Sequence, residues 1–243
     1  MAFVHGKNAC VLVGASDLSA YFNDVSWSQE LSADETTAFG SGDKTYIVGI
    51  GDGKISASGL FDGTVVVGSD VVLEAALSAA SDSVLLTAPS GNVLGARVKL
   101  AAGIETTYEV SEKVTDVVET KAEFQANGGV DGGIILAAAR SVATATTTNE
   151  TSQDNAASSA NGGVAQLHVT ANATSSTTIV KVQHSSNNST WVDLATFATV
   201  ATTVTTAERV TVAAGTTVNR YLRATSTTAG TGAVVYTVAF ARR

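Results

Sequence analysis

Residues 36–63 read TTAFGSGDKTYIVGIGDGKISASGLFDG. Glycine punctuates the stretch, and it closes on a Phe-Asp-Gly turn. Yet Tyr46, Ile47, Val48, Ile55, Ala57 and Phe61 give it apolar surface. The pattern predicts a long loop over residues 32–53 that runs into a strand at Lys54. A long loop that keeps apolar side chains is usually there to touch something. The expected partner is another copy of the same chain, which makes the protein an assembly subunit rather than an enzyme.

The rest of the composition fits a β-rich chain. Val, Thr, Ala, Ser and Gly dominate its 243 residues, and these suit pleated, half-buried surfaces. One proline, Pro89, leaves the turns to Gly, Asn and Asp. The single cysteine, Cys10, lies in an apolar run and reads as a buried, inert thiol. No charged start followed by an apolar core marks a signal peptide, and no run reaches the ~18 apolar residues of a membrane span. The expectation is therefore no membrane partner and a reducing compartment. The net charge of −8 is uneven: residues 1–143 hold eight basic and eighteen acidic side chains, and residues 144–243 six and four. Affinity for nucleic acid needs cations that neutralise phosphates, so an acidic first half argues against it.

Alternation sets out the strands. Tyr21, Val25, Trp27 and Leu31 share one face of a half-buried strand. Leu73, Ala76, Leu77 and Ala80 predict the one helix, over 71–80, with Ser69 as its N-cap. Strands follow at 83–88 and 92–101, with a turn at Ala102 and Gly103. In 104–112 and 117–124, Ile104, Thr106, Tyr108, Val110, Val118, Ala122 and Phe124 are expected on an apolar face. Glu105, Glu109, Glu119, Lys121 and Glu123 are expected together on the opposite, acidic face. That face is either a solvated exterior or the wall of a polar channel. From Ser141 the chain turns to Thr, Ser, Ala and Asn, a linker or a weak first strand. Six short strands follow between 164 and 241, with regular turns and no helix, which points to a sandwich.

The motifs that carry chemistry are incomplete or missing from the sequence. Residues 40–45, GSGDKT, put Asp43 where a phosphate loop needs a bare glycine-lysine junction. His5, His168 and His184 show no metal-ligand spacing, although His168 and His184 could lie on neighbouring strands. There is no Gly-x-Ser-x-Gly elbow and no Asp-x-Asp-x-Asp calcium loop. No cofactor or metal is expected. Trp191 reads either as a sandwich-core side chain or as a surface platform for a ligand such as a sugar.

Several stretches recur in a familiar order. They are residues 11–22 (VLVGASDLSAYF), 37–40, 43–47 with Gly49, 52–53 leading to 59–63, 108–111, 124–126 and 129–133. As a set, these first 140 residues resemble the tail-tube (major tail) proteins of long-tailed bacteriophages. Residues 162–163, 167–171, 182–186, Trp191, 220–223 and 239–242 are similar to β-sandwich modules appended to phage virion proteins.

The resemblance implies a mainly β chain. A tail-tube β-sandwich or barrel domain with one helix would span 1–143, and an all-β sandwich, Ig-like or jelly-roll-like, would span 144–243 outside the tube. It also implies hexameric rings stacked into a tube in the virion, assembled in the host cytoplasm. Partners would be further copies of the chain, a tape-measure protein and a tail terminator, with DNA only in transit through the lumen. The inter-ring loop would include Asp34, Phe39, Asp43, Lys44, Tyr46, Ile47, Val48 and Asp52. Glu105, Glu109, Glu119, Lys121 and Glu123 would line the lumen, where carboxylates repeated around a ring repel phosphates. Removing 144–243 is expected to leave assembly intact.

Overall fold

A computed structural model describes residues 5–143 and 145–243. The expected domain limits at residues 1 and 144 therefore lie outside the described residues. The strands are β1 (Cys10–Val13), β2 (Ser16–Asp17), β3 (Phe22–Glu35), β4 (Tyr46–Leu60), β5 (Ser83–Ala88), β6 (Arg97–Ser111), β7 (Glu119–Ala126) and β8 (Asp131–Val142). They continue with β9 (Thr146–Asn149), β10 (Gln153–Asp154), β11 (Gly163–Asn172), β12 (Thr178–Ser185), β13 (Val192–Thr196), β14 (Thr206–Val212), β15 (Tyr221–Thr228) and β16 (Val234–Arg242). One α-helix, α1 (Ser69–Leu77), stands among the described residues. The described residues are mainly β with a single α-helix, as composition and alternation predict.

The chain divides into two compact units. One holds the chain to Ala20, Val84–Leu100 and Asp131–Arg243; the other holds Tyr21–Ser83 and Ala101–Val130. This division does not run at residue 143. The reason is β8, which pairs antiparallel with the start of β6 on one side and with β16 on the other. Its Leu136, Ala137 and Val142 are buried in the same core as Leu167, Val180, Leu222, Tyr236 and Phe240. The bland stretch after Ser141 supplies β9 and β10, two short strands that pair with β15.

The larger unit is a two-sheet sandwich. One sheet runs β14-β11-β16-β8-β6-β5-β1-β2; the other runs β10-β15-β12-β13 with β9 added to β15. Ala165, Leu167 and Val169 of β11 face Val180 and Val182 of β12 and Leu222 and Ala224 of β15 across the core. A second cluster of Cys10, Leu12, Leu86, Leu100, Ile135 and Ala239 packs β1, β5, β6, β8 and β16 together. Cys10 is buried there, and burial pushes its thiol up to about 11. Asp131, at the head of β8, accepts bonds from Arg209 and, at 2.9 Å, from Arg243 Nε. Cutting the chain after residue 143 removes β16 and leaves only Leu136, Ala137 and Val142 of the buried residues in the sandwich core. The expected result is an insoluble or molten fragment, checked by near-UV circular dichroism and solubility; a cooperative melt of residues 1–143 would refute the shared core.

The smaller unit is a four-stranded antiparallel sheet in the order β3-β4-β7-β6, with α1 on one face. Ile55, Ala57, Leu73, Ala122, Phe124 and Val130 are its buried apolar side chains. Gly68, not Ser69, is the helix N-cap. The Ser69 hydroxyl is buried and ties helix to sheet, accepting from Asp62 N–H at 3.0 Å and donating to Leu60 O at 3.2 Å. The Tyr108 hydroxyl on β6 donates to Asp70 of the helix.

Two expectations about this unit are corrected. Ala102 and Gly103 make no turn: β6 runs straight through them. A Cβ on Gly103 would stand 2.2 Å from Gln125 O, so the glycine permits close backbone approach rather than a bend. Residues 32–53 are not a long loop either. They are the outer half of an antiparallel hairpin whose turn is only residues 36–45. Glycines here relieve crowding between strands: a Cβ on Gly49 would meet Ser32 Oγ at 2.1 Å.

Candidate functional site

The β3–β4 hairpin is the feature that sequence singled out and the structure makes prominent. Leu31 lies opposite Gly51, Ala33 opposite Val48 and Glu35 opposite Tyr46. A register shift between Leu31 and Ala33 puts one extra residue into β4. Following that register, Leu31, Tyr46 and Val48 fall on the same sheet face as the buried Ile55 and Ala57. The apolar face thus continues past the part that α1 covers and becomes an open stripe. Val48 is 75% exposed and Ile50, beside the bulge, 86%. Phe39, in the turn, is fully exposed. Ile47 sits opposite Asp34 on the other face.

The turn itself is held. Thr36 N–H donates to Thr45 O at 2.8 Å, Thr45 N–H to Thr37 Oγ1 at 3.1 Å, and Lys44 Nζ pairs with Glu35 at 3.0 Å. Asp52 accepts from its neighbour Gly53 N–H at 2.7 Å and from Gln125 of β7. Asp34, Phe39, Asp43, Lys44, Tyr46, Ile47, Val48 and Asp52 are therefore gathered on one projecting ribbon, with Asp43 exposed at its end.

The polar face of the same sheet is acidic but not uniformly so. Register places Asp24, Glu30, Asp52, Glu109, Glu119 and Glu123 there with Lys54 and Lys121. Lys121 and Lys54 reach Glu123 at 2.7 and 3.6 Å, and Lys121 holds the Glu123 carboxyl below the usual range.

Glu105 leaves this group, which corrects the expected set. Between Glu105 and Thr107 the β6–β7 ladder shifts register by one residue. Glu105 lies opposite Phe124, whereas Thr107 lies opposite Glu123, so Thr106 is the extra residue and Glu105 turns to the apolar face. There it is 6% exposed, and neither carboxylate oxygen has a hydrogen-bond partner. Burial pushes its carboxyl up to about 8. Ile104 takes the reverse course and is exposed opposite Gln125. Nothing in residue type announces a bulge, so alternation alone could not have found either change.

In the sandwich, Trp191 stands immediately before β13 and is half-buried rather than sealed in the core. The Arg223 guanidinium covers its ring at 4.2 Å from the centroid. Arg223 also donates to Gln183, which donates to Asp193 at 2.8 Å. His168 and His184 are on strands of different sheets, β11 and β12, and form no pair. Burial holds His168 down at about 4, with Nδ1 at 2.7 Å from Gly14 O.

No protein-family model matches the sequence, and no curated protein matches it. Among solved structures that resemble the chain is one from the virion of a native gene transfer agent particle. Its TM-score is 0.42 at 12% identity, covering 54% of this chain and 98% of that one. Another is the SPP1 Dit (gp 19.1) protein, described as a paradigm of the hub adsorption apparatus in Gram-positive infecting phages. Its TM-score is 0.36 at 14% identity, covering 96% and 97%.

Proposed function

We propose that this chain is a structural virion protein of a phage-type tail, that it self-associates through the β3–β4 hairpin, and that it does no chemistry of its own. The observation that carries this reading is the uncovered apolar stripe on a well-held ribbon. Leu31, Tyr46 and Val48 share that stripe and stand largely in solvent, with Phe39 in the turn and Ile50 beside the bulge exposed next to it, on a ribbon long enough to supply one side of a stable interface. A solvated loop tip has no use for that much apolar surface. The finer form of the proposal is stacked, hexameric rings forming a tube. Glu109, Glu119, Lys121 and Glu123 would then face the lumen with Asp24 and Glu30. Tape-measure and terminator proteins would be partners, and DNA would pass without adhering.

Negative-stain electron microscopy and sedimentation velocity of the purified protein across a concentration series test it. Rings or tubes support the proposal; a monomer at millimolar concentration refutes it. Salt gives a second check. Residues 30–52 carry five acidic side chains and one lysine on a chain of net charge −8. Apolar contact between such subunits works against charge repulsion, so raising salt from about 0.05 to 0.5 M should tighten association by screening. Dissociation by salt would instead indicate ion pairs as the main attraction and refute an apolar interface.

A further inference from the structure

Val65, Val66 and Val67 form a second exposed apolar feature, in the loop between β4 and α1. Val66 is 77% exposed and has a φ of 82°. A β-branched residue in the left-handed region is a strained choice, because its Cβ branches crowd the carbonyl. Nor is the loop loose. Thr64 donates to Asp62 through both N–H and hydroxyl, at 2.9 and 2.6 Å, and Gly68 N–H donates to Thr64 O at 2.8 Å. The valines are thus held outward on a pinned turn. Beside it, Phe61 N–H donates to Val118 O at 3.0 Å, which brings exposed Phe61, Leu60 and Val117 to the same end of the sheet.

This end lies at the far end of β4 from the hairpin turn. Fifteen residues of strand set the two about 45 Å apart. The chain therefore presents an apolar stripe at one end of a strand and an apolar knob at the other. Two different patches at opposite ends generate a head-to-tail contact that propagates. Charge favours that pairing over stripe on stripe. The receiving turn is flanked by only two carboxylates, Asp62 and Asp70, both already hydrogen-bonded within the chain, whereas stripe on stripe would oppose Glu30, Asp34, Glu35, Asp43 and Asp52 with their own copies.

We propose that the loop bearing Val65, Val66 and Val67 is the surface on which the β3–β4 hairpin of the next copy docks. This rests on the self-assembly reading above and names the receiving side of that contact. Val66→Gly is the most telling variant, because glycine accepts the observed φ without strain. It should melt at or above the wild-type temperature and yet self-associate about tenfold more weakly. A role confined to folding would not separate the two readouts. Val65→Asp with Val67→Asp should abolish association while the melt stays cooperative.

A mixture of Val66→Cys and Ile50→Cys chains, oxidised after assembly, should give crosslinked dimers that neither variant gives alone. The native Cys10 is buried and poorly ionised, and should stay silent. If the valine variants assemble like wild type and the mixture fails to crosslink, while charge on the stripe stops assembly, the receiving surface is wrong but the reading stands. If wild type never assembles, or stripe variants assemble unchanged, both fall.

Discussion

Replacing Glu105 with Gln should stabilise the protein by about 0.5–2.5 kcal/mol at pH 7 and about 2–4 kcal/mol at pH 9, and remove most of a pH dependence that wild type displays. The carboxyl lies on the covered face of the β3-β4-β7-β6 sheet, opposite Phe124, with neither oxygen hydrogen-bonded. The ionisable groups nearest in this layer are Tyr108, on the same face of β6, and Asp70, to which Tyr108 donates. Burial, with the bond to Asp70, pushes the Tyr108 hydroxyl up to about 12, so that phenol stays neutral across the range. Burial carries the Glu105 carboxyl from its ordinary value of 4.5 up to about 8.

The sign follows from proton binding. Below 4.5 the carboxyl is neutral in folded and unfolded chains alike, and costs nothing extra. Between 4.5 and 8 the unfolded chain releases the proton and the folded chain keeps it, so stability falls as pH rises, by about 1.4 kcal/mol per unit and at most about 5 in total. Above 8 the loss is complete and stability levels off. Glutamine removes the titration but leaves a buried amide short of partners, which takes back about 1–3 kcal/mol. Urea unfolding of both proteins at pH 5, 7 and 9 gives the answer. A wild-type curve that is flat across that range, or a Gln variant less stable than wild type at pH 9, would remove Glu105 from the core.

What the sequence disclosed and what it hid divide along a physical line. In the second half, composition alone placed β11, β12, β14, β15 and β16 to within a few residues, because Val-Thr alternation and turn residues are local signals. The helix was legible for the same reason, although it stops at Leu77. The hairpin is not legible in the sequence because glycine signals both a turn and a crowded strand, and only the cross-strand neighbour distinguishes them. Gly49 meets Ser32, Gly53 meets Val130 and Gly103 meets the Gln125 backbone. Glu105 was misplaced by one unpaired residue, Thr106, and no local pattern encodes a bulge. On the acidic face, register keeps Glu109, Glu119, Lys121 and Glu123 together, loses Glu105 and adds Lys54. The boundary at 143 followed a change in composition, whereas β8 joins β16 through long-range pairing that composition does not report.

Placing aspartate at both Leu31 and Val48 should abolish self-association and barely change the fold. The two positions share the uncovered stripe, and both side chains stand mostly in solvent in the single chain. Exposed substitutions alter stability little, and aspartate's poor strand propensity adds roughly 1 kcal/mol at most. In the assembled contact the balance is different. Each buried aliphatic side chain contributes about 1.5–3 kcal/mol, and each new carboxylate would have to shed water against an apolar neighbour at a further cost of several kcal/mol. Even the apolar loss alone, about 3 kcal/mol for the two side chains, weakens association more than a hundredfold.

Sedimentation velocity measures that loss, and a urea midpoint on the same samples shows whether the chain remains folded. Phe39→Ser is the milder companion. Phe39 lies in the turn and makes no part of the ladder, so its loss should weaken association by about tenfold without touching the register. Association that survives both changes would mean that the stripe is merely the solvent-facing continuation of a sheet, exposed because α1 spans only nine residues and stops covering it.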